Sequence, residues 1–151
     1  MIREKQSSGL VPYVSSTALN NGVDGFISNS ERIRKFSYCL SLANSGSVGS
    51  AFYEPFEFIA SDHVTHLKNE DYNSYQYLFL ATLLRRLSQK YNFNREMTDQ
   101  RIAREKILLP VDDEGKLNVA LMEQLIKMLF CTCYKKYLRY CKCLPQEDDV
   151  C

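Results

Sequence analysis

The sequence predicts an α+β fold: a twisted, mostly antiparallel sheet of short strands, a covering helix and a projecting C-terminal helix. Short apolar runs separated by Gly, Asn and Pro turns fill the first 68 residues, which is typical of strands. Helical spacing of apolar residues begins near residue 74 and returns after residue 118. A length of 151 residues, 45% of them hydrophobic and 25% charged, suits a single globular domain with a core.

The first two strands are predicted over residues 9–14 and 23–27. Pro12 favours a sheet edge or a strand start, since proline cannot donate a hydrogen bond to a neighbouring strand. Asn20–Gly22 between them has the residue types of a turn with positive φ. The first strand ends in three hydroxyl side chains: Ser15, Ser16 and Thr17.

Residues 36–43 alternate with a period of two, which predicts a half-buried strand. Its apolar face is expected to consist of Phe36, Tyr38, Leu40 and Leu42. This strand leads into a small-residue turn and then into an aromatic run that predicts two more strands. Residues 41–68 are therefore the stretch around which the chain is organised.

The turn in this stretch carries Gly46, Ser47 and Gly49, and a polar cluster of Ser61, Asp62 and His63 follows the aromatic run. Glycines so placed allow positive φ and bring backbone N–H groups close to another surface, so a turn of this kind can sit against a phosphate. The polar cluster is not a catalytic triad, because neighbouring residues on a strand diverge. It is expected to contact a ligand or to cap the sheet.

The covering helix is predicted over residues 74–90, with Asn73 and Gln76 as a capping pair. Its buried face is expected to follow helical spacing: Leu80, Leu83, Leu84, Leu87 and Tyr91. Residues 98–105 predict one or two helical turns, and residues 107–111 a short strand stopped by Pro110. A turn with a left-handed glycine is predicted at Gly115.

The last helix is predicted to begin at Asn118, with an apolar stripe of Leu121, Leu125, Met128 and Leu129. The chain is thus divided into a domain of residues 1–117, a helix of residues 118–143 and a tail of residues 144–151.

Charge is nearly balanced over the whole chain, with 19 basic and 18 acidic residues. Residues 85–106 are different, since they hold seven basic and three acidic residues, a net charge of +4, with Tyr91 and Phe93 among them. This segment is interpreted either as a phosphate-facing patch or as the solvated face of a helix.

Metal, cofactor and catalytic motifs are not predicted. His63 and His66 lie three apart and point to opposite faces of a strand, and two Cys-x-Cys pairs on a helix splay their thiols. No Walker A loop, dinucleotide glycine fingerprint or catalytic carboxylate cluster occurs, so a nuclease or methyltransferase is disfavoured. No apolar run is long enough for a membrane span, and a cytoplasmic location is expected.

Three segments in order resemble a target recognition domain of a Type I restriction-modification specificity (S) subunit, or of a Type IIB or IIG relative. They are GLVPYVSSTALNNGVDGF, SLANSGSVGSAFYEPFEFIASDHVTHLK and YNFNREMTDQRIAREKILLPVDDEGKLN. The resemblance covers about residues 9–140. It implies a module that reads double-stranded DNA without chemistry of its own. The resemblance also implies a spacer helix that docks the methyltransferase subunit, and the restriction subunit is a further expected partner.

The resemblance also implies which residues face DNA. Carried over by position, they are Ser15, Ser16, Thr17, Gly46, Ser47, Gly49, Ser61, Asp62, His63, Arg95, Arg101 and Arg104. A full S subunit has two recognition domains and two helices, whereas this chain has one of each, so a truncated or half-length member is expected. Such a chain is expected to dimerise through its C-terminal helix. The alternative is a non-catalytic fragment, or a helix-mediated assembly module, that does not bind DNA independently.

Overall fold

The computed structural model describes residues 6–92 and 94–143. Phe93 and the predicted tail of residues 144–151 lie outside the described residues. Five strands are followed by three α-helices, and a 3₁₀ segment at Arg85–Gln89 continues the first helix. The elements are β1 (Ser8–Val14), β2 (Val23–Ile27), β3 (Arg34–Ala43), β4 (Ala51–Ala60), β5 (Val64–Leu67), α1 (Ser74–Leu84), α2 (Asp99–Ile102) and α3 (Val119–Cys143).

The strands form one sheet in the order β2-β1-β4-β3-β5. Every neighbouring pair is antiparallel except β1 and β4, which run parallel through Tyr13 and Val14. The predicted fold class, an α+β fold with a mostly antiparallel sheet, is confirmed. β2 and β5 are the edge strands, so Pro12 does not lie on an edge strand but in β1, opposite Phe26.

A bulge divides β3 and corrects the predicted alternation. Tyr38 has a φ of 51° and stands where the register moves from Ser37 opposite Glu57 to Cys39 opposite Glu54. An irregularity of this kind re-aims the side chains that follow it. As a result, Phe36 and Cys39 pack into one cluster, together with Phe58. Leu40 and Leu42 pack into a second cluster, and Tyr38 is 60% exposed.

The two clusters cover opposite faces of the sheet. α1 packs on the face of Leu40 and Leu42 through Tyr77, Ala81 and Leu84. On the other face, Glu54 is 1% exposed and its Oε1 accepts a hydrogen bond of 2.8 Å from Ser41 Oγ. Burial raises the pKa of the Glu54 carboxyl, with the Ser41 hydroxyl opposing this shift.

The start of α1 agrees with the prediction. Asn73 Oδ1 accepts from the N–H groups of Tyr75 and Gln76, and Gln76 Oε1 accepts from the N–H of Asn73. This reciprocal pair satisfies amides that the first helical turn leaves without partners. Of the predicted buried face, Leu84 and Tyr91 are buried and the other leucines are half-buried.

The buried face of α3 differs from the predicted stripe. Met122 and Ile126 are buried, whereas Met128 and Leu129 are 58% and 54% exposed. Glu123 adds polar contacts beside these buried residues, since its Oε2 accepts hydrogen bonds from Asn73 Nδ2 at 2.7 Å and Gln76 Nε2 at 3.2 Å. The first half of α3 is therefore tied to α1. The second half, residues 128–143, projects and is called the outer half of α3 below.

The connection between α2 and α3 is less regular than expected. Residues 107–111 form only an isolated bridge, between Val111 and Leu117, instead of a strand. The turn that follows is as predicted, with Gly115 at a φ of 79°. Asn118 Oδ1 accepts from the N–H of Leu121, so Asn118 caps α3.

Candidate nucleic-acid interface

Four loops meet at one place and are called the loop end below: residues 15–17, 44–50, 61–63 and 96–99. The loop of residues 44–50 is the centre. Ser47 N–H donates to Ser16 O at 3.0 Å, Asn44 N–H to His63 O at 3.0 Å, and Met97 N–H to Asn44 O at 2.8 Å. The structure thus joins the segments that the sequence left separate.

The two turn glycines serve contacts within the protein. A Cβ on Gly46 would lie 2.8 Å from Ser16 Oγ, and one on Gly49 would lie 2.8 Å from Ser88 N. Both have positive φ, at 59° and 84°. Only glycine allows this conformation together with such close approach.

The expectation that this turn cradles a phosphate therefore needs correction. The Ser47 N–H donates to Ser16 O, the Gly49 N–H donates to Ala43 O, and Gly49 is buried. These amides are used inside the fold and are not available to an anion. Whether Gly46, Ser47 and Gly49 contact DNA stays a prediction, and their observed role is to shape the surface.

The Ser61, Asp62 and His63 cluster is divided between interior and surface. Ser61 is buried, donates its N–H to Val14 O at 2.9 Å and accepts from Arg34 Nη1 at 2.9 Å through its carbonyl. Asp62 and His63 are exposed. The side chain of Ser61 is thus placed for packing, and those of Asp62 and His63 are placed on the surface.

A groove of about 280 Å³ opens beside the cluster, lined by Asn44, Asp62, His63, Glu96, Met97, Thr98 and Asp99. Its wall is ordered by hydrogen bonds, since Thr65 Oγ1 donates to Asp99 Oδ1 at 2.8 Å and Asn44 Nδ2 donates to Thr65 Oγ1 at 3.3 Å. Three carboxylates make this groove acidic, so it is unsuited to phosphate. Asn44 was missed by sequence reasoning, because its place in the groove depends on long-range contacts.

The basic segment carries less free charge than its composition suggests. Lys90 Nζ lies 2.5 Å from Glu105 Oε1, and Tyr91 Oη donates to Glu105 Oε2 at 2.6 Å. Hydrogen bonds from the Lys90 ammonium and, to a smaller extent, from the Tyr91 hydroxyl hold the pKa of the Glu105 carboxyl below its usual value. Lys90 is thereby neutralised, and the arginines carry the positive surface.

Three arginines predicted to face DNA are exposed but differ in their contacts. The Arg95 guanidinium lies 5.3 Å from the centre of the Tyr91 ring, and Arg101 Nη1 donates to Glu96 O. Arg104 is exposed just after α2. Because Met97 joins this segment to the loop of residues 44–50, the arginines border the loop end.

The histidines and cysteines whose side chains the structure describes do not converge. His66 stacks on Phe36 with ring centres 3.8 Å apart, whereas His63 is exposed. Cys131 and Cys133 are exposed on α3, and the side chain of Cys143 lies outside the described residues. Within residues 6–92 and 94–143, no three His, Cys, Asp or Glu side chains are grouped to hold a metal ion. In the same ranges, no helix is both long and apolar enough to cross a membrane.

The sheet thus presents ordered loops next to exposed arginines, and a helix projects from the body. The model of the family described as the Type I restriction modification DNA specificity domain matches residues 2–131. The chain belongs to this family, which confirms the resemblance inferred from the three sequence segments.

Two known proteins are similar to this chain. The specificity subunit S.BcgI of the Type II restriction enzyme BgcI, from Heyndrickxia coagulans, is 30% identical over 118 residues, covering 77% of this chain and 34% of that protein. The chain thus spans about a third of the length of this curated relative. The crystal structure of the Type I restriction-modification S subunit from M. genitalium aligns with a TM-score of 0.47 and 17% identity, over 93% of this chain and 37% of that one.

Proposed function

We propose that this chain recognises a specific sequence of double-stranded DNA as a specificity component of a restriction-modification system, without catalysing a reaction itself. The observation that carries the proposal is the loop end, where four loops of a DNA specificity domain are held in one surface by backbone hydrogen bonds. Loops fixed by the fold can present side chains to base edges without paying for ordering on binding.

The arginines would supply the sequence-independent part of binding. Arg95, Arg101 and Arg104 are exposed and border the loop end, where they would hold phosphates and set the register of the domain on the duplex. The near-neutral charge of the whole chain is compatible with this role, because only one face has to be basic. His63 and the hydroxyls of residues 15–17 would then lie on the same DNA-facing side.

α3 would connect the recognition domain, residues 1–117, to partner subunits. Its outer half carries a stripe of the exposed aromatic residues Phe130, Tyr134 and Tyr137 and the half-buried Cys141, spaced by four, three and four residues. This spacing is that of a helix which packs against another helix. We infer that a second copy pairs through this stripe to give two recognition domains, and that a methyltransferase subunit binds the assembly.

Selection from a random duplex library tests the proposed function. The full chain, with a methyltransferase subunit present, is expected to enrich one defined half-site. Replacing Arg95, Arg101 and Arg104 together by alanine is expected to lower affinity for all sequences and to reduce the slope of log K against log salt by about 3.

The matched control replaces three exposed cations on α3, Lys135, Lys136 and Arg139, which lie on a different element. This control is expected to keep the salt slope of the unmodified chain. Enrichment of random sequences by the unmodified chain would contradict the proposal and favour the assembly-module alternative.

A further inference from the structure

The Arg85 side chain packs on an aromatic ring, as that of Arg95 does. Arg85 begins the 3₁₀ segment after α1, and its guanidinium lies 5.6 Å from the centre of the Phe52 ring. The residue is exposed, and within the described ranges no carboxylate forms an ion pair with it. Packing on an aromatic ring limits the orientations of the guanidinium plane. Arg85 thus presents an oriented fork of N–H donors.

The turn Asn20–Gly22 is fixed against the same ring. All three residues have positive φ, at 47°, 53° and 85°, a conformation that asparagine tolerates better than most side chains. Gly22 is buried, and a Cβ placed on it would lie 3.3 Å from Val14 and 3.4 Å from Phe52. Phe52 therefore supports both Arg85 and the Asn20–Gly22 turn.

Asn21 and Arg85 line one groove of about 250 Å³ between β4 and α1. None of the side chains that line this groove is acidic, in contrast to the acidic groove at the loop end. Asn21 is exposed, and in the described part of the chain its side-chain amide makes no hydrogen bond. An unpaired amide and an oriented guanidinium thus face a common space that carries no negative charge.

We propose that Arg85 reads the major-groove edge of a guanine, with Asn21 contacting the neighbouring base pair. This inference rests on the proposed function and adds a specificity-determining residue to it. A planar fork can make two parallel hydrogen bonds to guanine O6 and N7, and an Asn amide can make two to adenine. The guanidinium fork also matches a phosphate, but a phosphate only accepts hydrogen bonds and would leave the acceptor oxygen of the Asn21 amide unused.

The test compares Arg85→Lys, Arg85→Ala and Arg86→Ala in the full chain. Arg86 is the matched control, since it is the next residue of the same 3₁₀ segment, is exposed and has no ring partner in the described part of the chain. Each variant is used for selection from a random duplex library, and its affinity for the selected site and for single-base variants is measured at several salt concentrations. Thermal unfolding checks that each variant is folded.

Arg85→Lys is expected to keep the salt slope and to lose about tenfold or more of the preference for guanine at one position. Arg86→Ala is expected to weaken all sequences equally. Arg85 variants that select the same site with the same preference would overturn the inference and leave the proposed function intact. A uniform loss of affinity for all sequences in Arg85→Ala, together with a reduced salt slope, would also overturn the inference, because it would assign Arg85 to a phosphate contact. If the unmodified chain selects no site, the proposed function fails and this inference fails with it.

Discussion

The loop end and the outer half of α3 differ in how far their groups are hydrogen-bonded or packed within the chain. At the loop end, backbone N–H groups of Asn44, Ser47 and Met97 donate to carbonyls of other loops or of the same turn region. In the outer half of α3, Tyr134 and Tyr137 are 61% and 60% exposed, and Phe130 of the same stripe is 52% exposed beside the Tyr75 ring, with 6.3 Å between the ring centres. One region is complete within the monomer, and the other is not.

Under the proposed function, this difference would assign recognition to the loop end and assembly to the outer half of α3. Pre-organised loops bind a partner at a low cost in conformational entropy. A contiguous exposed aromatic stripe is typical of a protein interface. Mutations at the loop end and its supports should therefore act on stability, whereas mutations in the outer half of α3 should act on association.

The largest effect is expected from two methionines on the same helix. Met122 is fully buried and Met128 is 58% exposed. Met122→Ala should lower the free energy of unfolding by about 2–5 kcal/mol, because it leaves a cavity between α3 and the domain, while Met128→Ala should change it by about 0.5 kcal/mol or less. Urea unfolding measures both. Equal effects would contradict the division of α3 into two halves.

A smaller effect is expected at the centre of the loop end. Gly49→Ala should lower the free energy of unfolding by about 3 kcal/mol, because it combines a left-handed conformation with a Cβ 2.8 Å from Ser88 N. Gly115 is the matched control, since it has a φ of 79° and open space around it. Gly115→Ala should cost only about 1 kcal/mol. If both variants unfold alike in urea, the close packing of the turn is not what requires glycine.

The sheet beneath the loop end contains one buried carboxyl, which makes stability depend on pH. Because burial raises the pKa of Glu54, the folded state favours its neutral form. The stability contributed by this form is full below the ordinary glutamate pKa and is lost as pH rises through the raised value. Glu54→Gln should remove this loss and raise the free energy of unfolding at pH 7 by about 1 kcal/mol.

The control for this prediction is Glu57→Gln on the same strand. Glu57 is exposed and lies 2.6 Å from Lys35 Nζ. A surface ion pair contributes little, so this variant should keep both the stability and its pH dependence within about 0.5 kcal/mol. Urea unfolding at a series of pH values measures both variants, and a pH profile unchanged by Glu54→Gln would rule out Glu54 as its cause.

The smallest effect on stability, and the clearest one on association, is expected in the outer half of α3. Tyr134→Asp combined with Tyr137→Asp should leave urea unfolding of the monomer unchanged within about 0.5 kcal/mol, because both rings are exposed. The unmodified chain should dimerise with increasing concentration in light scattering, and the double variant should not. A monomer at every concentration in both proteins would remove the stripe as a pairing surface.

The elements that the sequence predicted well are those encoded by neighbouring residues. The capping pair of Asn73 and Gln76, the positive φ at Asn20–Gly22 and the left-handed Gly115 are all present. Five strands occur in the order predicted along the chain. The family resemblance rests on three segments in order, so it too was readable without coordinates. Local rules suffice here because each signal lies within a few residues.

Tertiary structure alone decided which faces and which partners these elements have. The bulge at Tyr38 exchanges the faces of β3, and Met122, instead of Met128, packs into the core next to the hydrogen bond between Glu123 and Asn73. The turn of residues 44–50 uses its amides inside the loop end, and Arg85 meets Phe52 across 33 positions of sequence. Each of these outcomes depends on residues distant in the chain, where spacing carries no information about which side chains will meet.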